Sequence, residues 1–227
     1  MKNSYNAILF DLDGTLIKDD LKIDHEDIRL IRNLAQEDIT ISIATGRILK
    51  AASPFIEKLD ITAPVILYNG SVLVNPVTRN EVWSEQIDSP EARSILDILR
   101  AFKLDTQVYS SPTDDGFYVE KITKPIKQFV EKDKIPAREV DSLKEVVASG
   151  AVKFLNIGER EELKRCKDRL EKRFPNLNLV LSEQNYLEVL PSGVSKGEGL
   201  KRWSNLQGIP LESIVAFGDN MNDLELL

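Results

Sequence analysis

Two aspartates, Asp11 and Asp13, flank one leucine directly after the unbroken apolar run Ala7-Ile8-Leu9-Phe10. In extended backbone, residues two apart point to the same side. Two carboxylates held that way repel each other unless a cation or a shared proton relieves them. Asp219 supplies a third carboxylate at the end of another apolar run, residues 213–217. Two or three carboxylate or carbonyl oxygens plus waters make a good seat for Mg2+, a hard cation that keeps much of its hydration. A carboxylate can also be a nucleophile and carry a phosphoryl group. Lys196 offers a fixed positive charge to phosphoryl oxygens, and Thr45 and the backbone N–H of Gly46 offer hydrogen bonds. Positioning, charge neutralisation and a group that moves a proton are what phosphoryl transfer requires. Each residue also has a purely structural reading. Asp13-Gly14 and Gly218-Asp219 are turn pairs, Thr45 can cap a helix, and Lys196 can be a surface lysine ahead of one. The motifs favour chemistry because they recur, one after another, at the ends of apolar runs.

Those runs read as the strands that must position the site. Residues 7–10, 39–44, 64–68 and 213–217 are strands of a sheet buried on both faces, as continuous apolar runs suit parallel strands. A helix follows Asp24, with Ile28, Ile31, Leu34 and Ala35 at helical spacing, and a second spans residues 48–59, with Pro54 predicting a kink or a late start. Strands alternating with helices imply right-handed βαβ units, and ligands bind at the carboxyl ends of such strands. The middle of the chain differs. Residues 72–74 and 81–83 read as a hairpin, and Ser89-Pro90-Glu91 opens a helix running to Leu104. Further strands are expected at 106–109, 116–120, 152–157, 177–181 and 186–190, with a helix at 159–173 and no assignment between 121 and 151. Adjacent strands without intervening helices indicate an α+β insert. The expected division is a discontinuous core, residues 1–83 and 191–227, and an insert, residues 84–190.

Asp11-Leu12-Asp13-Gly14-Thr15, Thr45, Lys196 and Gly218-Asp219-Asn220-Met221-Asn222-Asp223, in that order, resemble the haloacid dehalogenase superfamily of phosphotransferases. The resemblance covers nearly the whole chain. Thr45-Gly46-Arg47, Asn69-Gly70 and Gly193-Val194-Ser195-Lys196-Gly197 are similar to its Cof-like subgroup of sugar-phosphate and cofactor-phosphate hydrolases, and the insert looks like a type IIB cap. The resemblance implies an α/β, Rossmann-like parallel-sheet core with an inserted α+β cap. It implies that Asp11 takes the phosphoryl group, and that Asp13 protonates the leaving oxygen and then deprotonates the attacking water. Mg2+ would be held by Asp11, the Asp13 backbone carbonyl and Asp219. Thr45 and Lys196 would hold the phosphoryl group with the backbone of Leu12 and Gly46. Asn222 and Asp223 would orient substrate, metal waters or Lys196, and the insert would close over the site and choose the leaving group. The implied reaction is Mg2+-dependent hydrolysis of a small phosphate monoester through an aspartyl-phosphate. A phosphomutase or phosphotransferase of the same superfamily, or a non-catalytic phosphate-binding module, are the alternatives.

Composition bounds the rest. The 227 residues carry a net charge of -7, with no basic block, so nucleic acid is not an expected partner. No apolar run reaches the ~18 residues of a membrane span, and Asp11 interrupts the first run too early for a leader peptide. The single cysteine, Cys166, fits a reducing cytoplasm, and a small phosphorylated metabolite is the expected partner. One histidine, His25, argues against zinc or Ser-His-Asp chemistry. Arg47 suits a helix surface as well as a ligand site and stands outside the candidate set. Residues 224–227 read as a helix cut short, which gives the expectation of a core incomplete at its C-terminus.

Overall fold

The computed structural model describes residues 5–18, 21–182 and 185–227. Residues 1–4, part of the stretch from which no leader peptide is expected, lie outside the described residues.

Strand β1 (Ala7–Phe10) is four apolar residues, of which Ala7, Leu9 and Phe10 are buried. Helix α1 (His25–Gln36) begins where the Asp24 carboxylate accepts the Glu26 backbone N–H, and it turns Ile28 and Ile31 inward. Strand β2 (Thr40–Ile43) follows, then helix α2 (Leu49–Lys58). Pro54 lies inside α2, and the helix runs through it instead of starting late. Strand β3 (Val65–Leu67) leads through a 3-10 turn, Tyr68–Gly70, into strands β4 (Val72–Val74) and β5 (Glu81–Ser84).

Helix α3 (Ser89–Leu99) is capped by Asp88, whose carboxylate accepts the Glu91 N–H at 2.8 Å. The cap is thus one residue earlier than the sequence suggests, and the helix stops five residues short of Leu104. Strands β6 (Asp105–Tyr109) and β7 (Phe117–Val119) precede helix α4 (Lys124–Asp133), strand β8 (Ala137–Glu139) and helix α5 (Leu143–Val146). Strand β9 (Lys153–Ile157), helix α6 (Arg160–Arg173) and strands β10 (Leu177–Val180) and β11 (Tyr186–Ser192) follow. Helix α7 (Lys196–Gln207) and strand β12 (Ile214–Phe217) complete the long elements.

The chain divides into two compact units, Met1–Ser84 with Val194–Leu227, and Glu85–Gly193. In the first, β1 is the central strand of a parallel sheet ordered β12-β1-β2, with Ala7 opposite both Thr40 and Ile214. This parallel sheet is the α/β core. Residues 64–68 do not form a fourth full member of it. β3 pairs antiparallel with β4, and β4 with β5, while Ala44 and Ile66 make a single parallel bridge. The short reach from β3 to β4 across Asn69-Gly70 makes a local hairpin the readier pairing. Trp203 of α7 is fully buried against Ala7, Leu9, Ile66 and Leu73, and its indole N–H donates to the Pro64 carbonyl at 2.6 Å.

The second unit is a six-stranded sheet ordered β10-β11-β9-β6-β7-β8. Its pairings are antiparallel except β7 with β8. It has its own core, in which Leu96 and Leu99 of α3 and Leu163, Cys166 and Leu170 of α6 meet Phe154, Leu187 and Val189 of the sheet. Burial pushes the Cys166 thiol up to about 12. No helix among the described residues is long and apolar enough to cross a membrane.

Candidate active site

The site assembles at the carboxyl ends of β1, β2 and β12. Asp11 follows β1 immediately. Its backbone N–H donates to the Phe217 carbonyl at 2.9 Å, so the ladder with β12 fixes the chain where the carboxylate begins. The loop then turns tightly, with the Ile17 N–H on the Leu12 carbonyl and the Gly14 N–H on the Ile17 carbonyl. Gly14 has φ +88, and a methyl group there would lie 2.3 Å from Asp219 Oδ2. A glycine lets this loop come against Asp219 where a side chain could not.

Lys196 opens α7, whose N-cap Ser195 accepts the Glu198 N–H. A cation at a helix N-terminus meets an unfavourable dipole, and one only 2% exposed also loses its hydration. Two carboxylates offset both costs. Lys196 Nζ lies 2.6 Å from Asp11 Oδ1 and 2.6 Å from Asp223 Oδ1. Asp223 is fully buried, and its other oxygen accepts the backbone N–H groups of Asp219 and Asn220 at 3.2 and 3.0 Å. Thr15 Oγ1 reaches Asp219 Oδ1 at 3.2 Å and lies 3.4 Å from Asp11 Oδ2. Asp11, Asp219 and Asp223 present carboxylate oxygens within 4.8 Å of one another.

Burial dominates the protonation of Asp11 and raises its carboxyl from 3.8 to about 6. The charge and hydrogen bond of Lys196 pull the other way, the Asp223 charge raises it further, and the Leu12 backbone N–H lowers it.

Thr45 and Gly46 stand at the end of β2. Thr45 is fully buried; its N–H donates to the Ile66 carbonyl, and its carbonyl accepts the Asn69 N–H. Gly46 packs so closely on Asn69 that an added methyl would sit 3.0 Å from the Asn69 amide. Asn222 Nδ2 donates to Asn69 Oδ1 at 3.1 Å, which joins the β12 loop to the turn after β3.

The sequence-derived candidates therefore fall into three placements. Asp11, Lys196, Asp219 and Asp223 share one network, with the Leu12 N–H on the Asp11 carboxylate. Thr45, Gly46 and Asn222 meet around Asn69. The Asp13 carboxylate joins neither group: it is half exposed and gripped on both oxygens by Arg47. Sequence reasoning gave Asp223 a supporting place that could orient Lys196, and in the structure Asp223 bonds Lys196 at 2.6 Å. Sequence reasoning left out three residues that the geometry brings in. Thr15 bridges two aspartates, Asn69 links two loops, and Arg47 grips Asp13. Thr15 already stood within the aspartate motif, and Asn69 and Arg47 beside recognised turns. Thr15 has one partner four residues away, but Asp219, and the partners of Asn69 and Arg47, lie far off in sequence, so those pairings were not readable from spacing.

The donor set fits a hard divalent cation. Every candidate atom is an oxygen, and Asp11 and Asp219 have oxygens that Lys196 does not occupy. Both oxygens of Asp223 are already bonded, so its fit is as the group that fixes Lys196.

Residues 8–227 match the model of the haloacid dehalogenase-like hydrolase family. Among curated proteins, 5-amino-6-(5-phospho-D-ribitylamino)uracil phosphatase YitU of Bacillus subtilis is 26% identical over 233 aligned residues, covering 100% of this chain and 84% of that protein. Among solved structures, TM0651 from Thermotoga maritima is 32% identical, with a TM-score of 0.85 over 98% of this chain and 82% of that one. The subclass IIB sugar phosphatase BT4131 shares the fold, with a TM-score of 0.80 at 20% identity over 98% of this chain and 84% of that one. The parallel-sheet core, the aspartates at its carboxyl edge and the match over residues 8–227 agree: the chain belongs to the haloacid dehalogenase-like hydrolases.

Proposed function

We propose that this chain is a phosphatase that hydrolyses a small phosphate monoester, a sugar phosphate or a phosphorylated cofactor, in the cytoplasm and with Mg2+. The observation that carries the reading is the buried Asp11–Lys196–Asp223 triad with Asp219 beside it. Lys196 holds the Asp11 carboxylate in place, and that carboxylate supplies the nucleophile that attacks phosphorus. As the bond from Asp11 to phosphorus forms, the bond from phosphorus to the ester oxygen breaks. Asp13, once one of its oxygens has left Arg47 and taken up a proton, gives that proton to the ester oxygen. Water then attacks the aspartyl-phosphate, Asp13 takes its proton, and Asp11 is released with inorganic phosphate. Lys196 balances charge on the phosphoryl oxygens, and Thr45 with the Leu12 and Gly46 backbone groups orients them. Asp11 and Asp219, with the Asp13 backbone carbonyl, would hold Mg2+, which supplies further neutralisation of phosphoryl charge. The names of the relatives support hydrolysis over transfer to a second sugar hydroxyl, and the YitU name supports a phosphorylated polyol or sugar as the substrate class.

The test is phosphate release from p-nitrophenyl phosphate and a panel of sugar and cofactor phosphates. Release should require Mg2+, cease with EDTA, and fall on the order of a thousandfold or more in Asp11→Asn. An isomerised sugar phosphate without free phosphate would show a mutase instead. Full activity in Asp11→Asn would remove the nucleophile assignment.

A further inference from the structure

Arg47 and Asp13 form a fork. Arg47 Nε donates to Asp13 Oδ2 at 2.8 Å, and an Nη nitrogen donates to Oδ1 at 2.6 Å. Surface ion pairs are common and of little worth. This one differs in how firmly the cation is mounted. The Arg47 side chain is only 13% exposed, against 52% for Asp13. Its guanidinium lies 5.4 Å from the centre of the Phe55 ring on α2. Its backbone is tied at both ends: the N–H donates to Thr45 Oγ1 at 3.2 Å, and the carbonyl accepts the Tyr68 N–H at 3.2 Å. A rigid arginine therefore faces an exposed aspartate, and the fixed partner sets the geometry of the free one. A planar guanidinium fixes both oxygens of a carboxylate at once, which an ammonium cannot do.

We propose that Arg47 is the positioning residue for proton transfer by Asp13. The inference rests on the reading of Asp13 as the acid and base of the proposed phosphatase. Asp13 has two side-chain torsions and a half-exposed carboxylate. Without the fork it samples several rotamers; with Arg47 fixed beside it, one nitrogen can hold one oxygen while the other oxygen carries the proton. A misplacement of about 1 Å is enough to cost an enzyme two orders of magnitude. Arg47 touches no reacting atom in this scheme and acts only through Asp13.

Leaving groups separate this role from a structural one. An alkyl ester, such as glycerol phosphate, needs its departing oxygen protonated. A 2,4-dinitrophenyl ester does not. The comparison uses kcat/KM in saturating Mg2+, because that constant ends at formation of the aspartyl-phosphate and excludes the later base step. In Arg47→Ala, kcat/KM should fall about tenfold or more further for the alkyl ester than for the dinitrophenyl ester. Arg47→Lys should recover part of that selective loss. Where Asp13 is already Asn, Arg47→Ala should add no selective loss, since its route is gone. Equal losses on both esters in Arg47→Ala, or a selective loss that persists in the Asp13→Asn background, would overturn the inference. Asp13→Asn alone keeps the two levels apart. If it is selective while Arg47→Ala is not, only the inference falls. If it is not selective, the reading of Asp13 falls and takes the inference with it. Far-UV circular dichroism checks folding. Should Arg47→Ala not fold, Arg47→Lys carries the test, because it keeps the charge and loses the fork.

Discussion

Asp11 sits where burial and a neighbouring ammonium compete, and burial wins, so its carboxyl is raised to about 6. The sign of the linkage follows. Below the ordinary value of 3.8, Asp11 is protonated in folded and unfolded chains alike and stability is untouched. As pH rises through about 6, the metal-free folded chain must ionise a buried group, and stability is lost. A cation bound there must likewise displace the proton below that pH. Titration calorimetry of the intact protein with Mg2+ should show affinity weakening about tenfold per pH unit below 6, with proton release. A flat affinity from pH 5 to 8 would contradict this. At this scale the sequence was most informative. Asp11, Thr45, Lys196, Asp219 and Asp223 were readable because they sit at the ends of apolar runs. The Arg47–Asp13 fork was not, since it joins positions 34 apart through the folding of β1 against β2.

The elements carry the cost of holding these residues. After β3, Tyr68 and Asn69 both take left-handed backbone, at φ 49 and 54, and Gly70 follows at φ +99. Such conformations cost on the order of 1 kcal/mol each outside glycine. The turn pays for itself by meeting α7: a methyl on Gly70 would lie 1.9 Å from the Ser195 carbonyl, one residue before Lys196. Gly193 is a built-in control, with φ +69 and nothing within 4 Å of an added methyl. Gly193→Ala should therefore cost about 1 kcal/mol of strain alone. Gly70→Ala should cost about 2 kcal/mol or more beyond that and also lower kcat, because α7 must shift and Lys196 moves with it. Urea midpoints of the two variants measure the difference. Sequence reasoning found most strands and helices but misread two kinds of element. Residues 64–68 looked like a parallel strand because their run is continuously apolar, yet the nearby run at 72–74 captured them as a hairpin. Helix α4 and strand β8 went unassigned because the stretch is rich in lysine and α4 buries only Ile126 and Phe129. Local pattern cannot show a strand whose partner alone makes it one, as β8 is made by β7.

At the scale of the whole molecule, the two units differ in how the chain builds them. Glu85–Gly193 is continuous and has its own core around Leu99, Phe154, Leu163 and Val189. Expressed alone, it should melt in one cooperative transition by circular dichroism. A broad, non-cooperative melt would show that its core depends on the rest of the chain. The other unit is discontinuous, and the carboxylate network around Lys196 depends on that. Asp11 meets Lys196 across 185 positions, and Thr15 meets Asp219 across 204. On the ribosome the order of emergence is fixed. The first strand leaves the exit tunnel with β2 available on one side and nothing on the other. It must wait through the entire synthesis of residues 85–193 before β12 exists to pair with it. The insert can finish folding while its host is still open, and the charge pair of Asp11 with Lys196 can close only after the insert has been made. A nascent chain released before residue 214 would carry a finished insert on an unfinished sheet, with no working site to act prematurely.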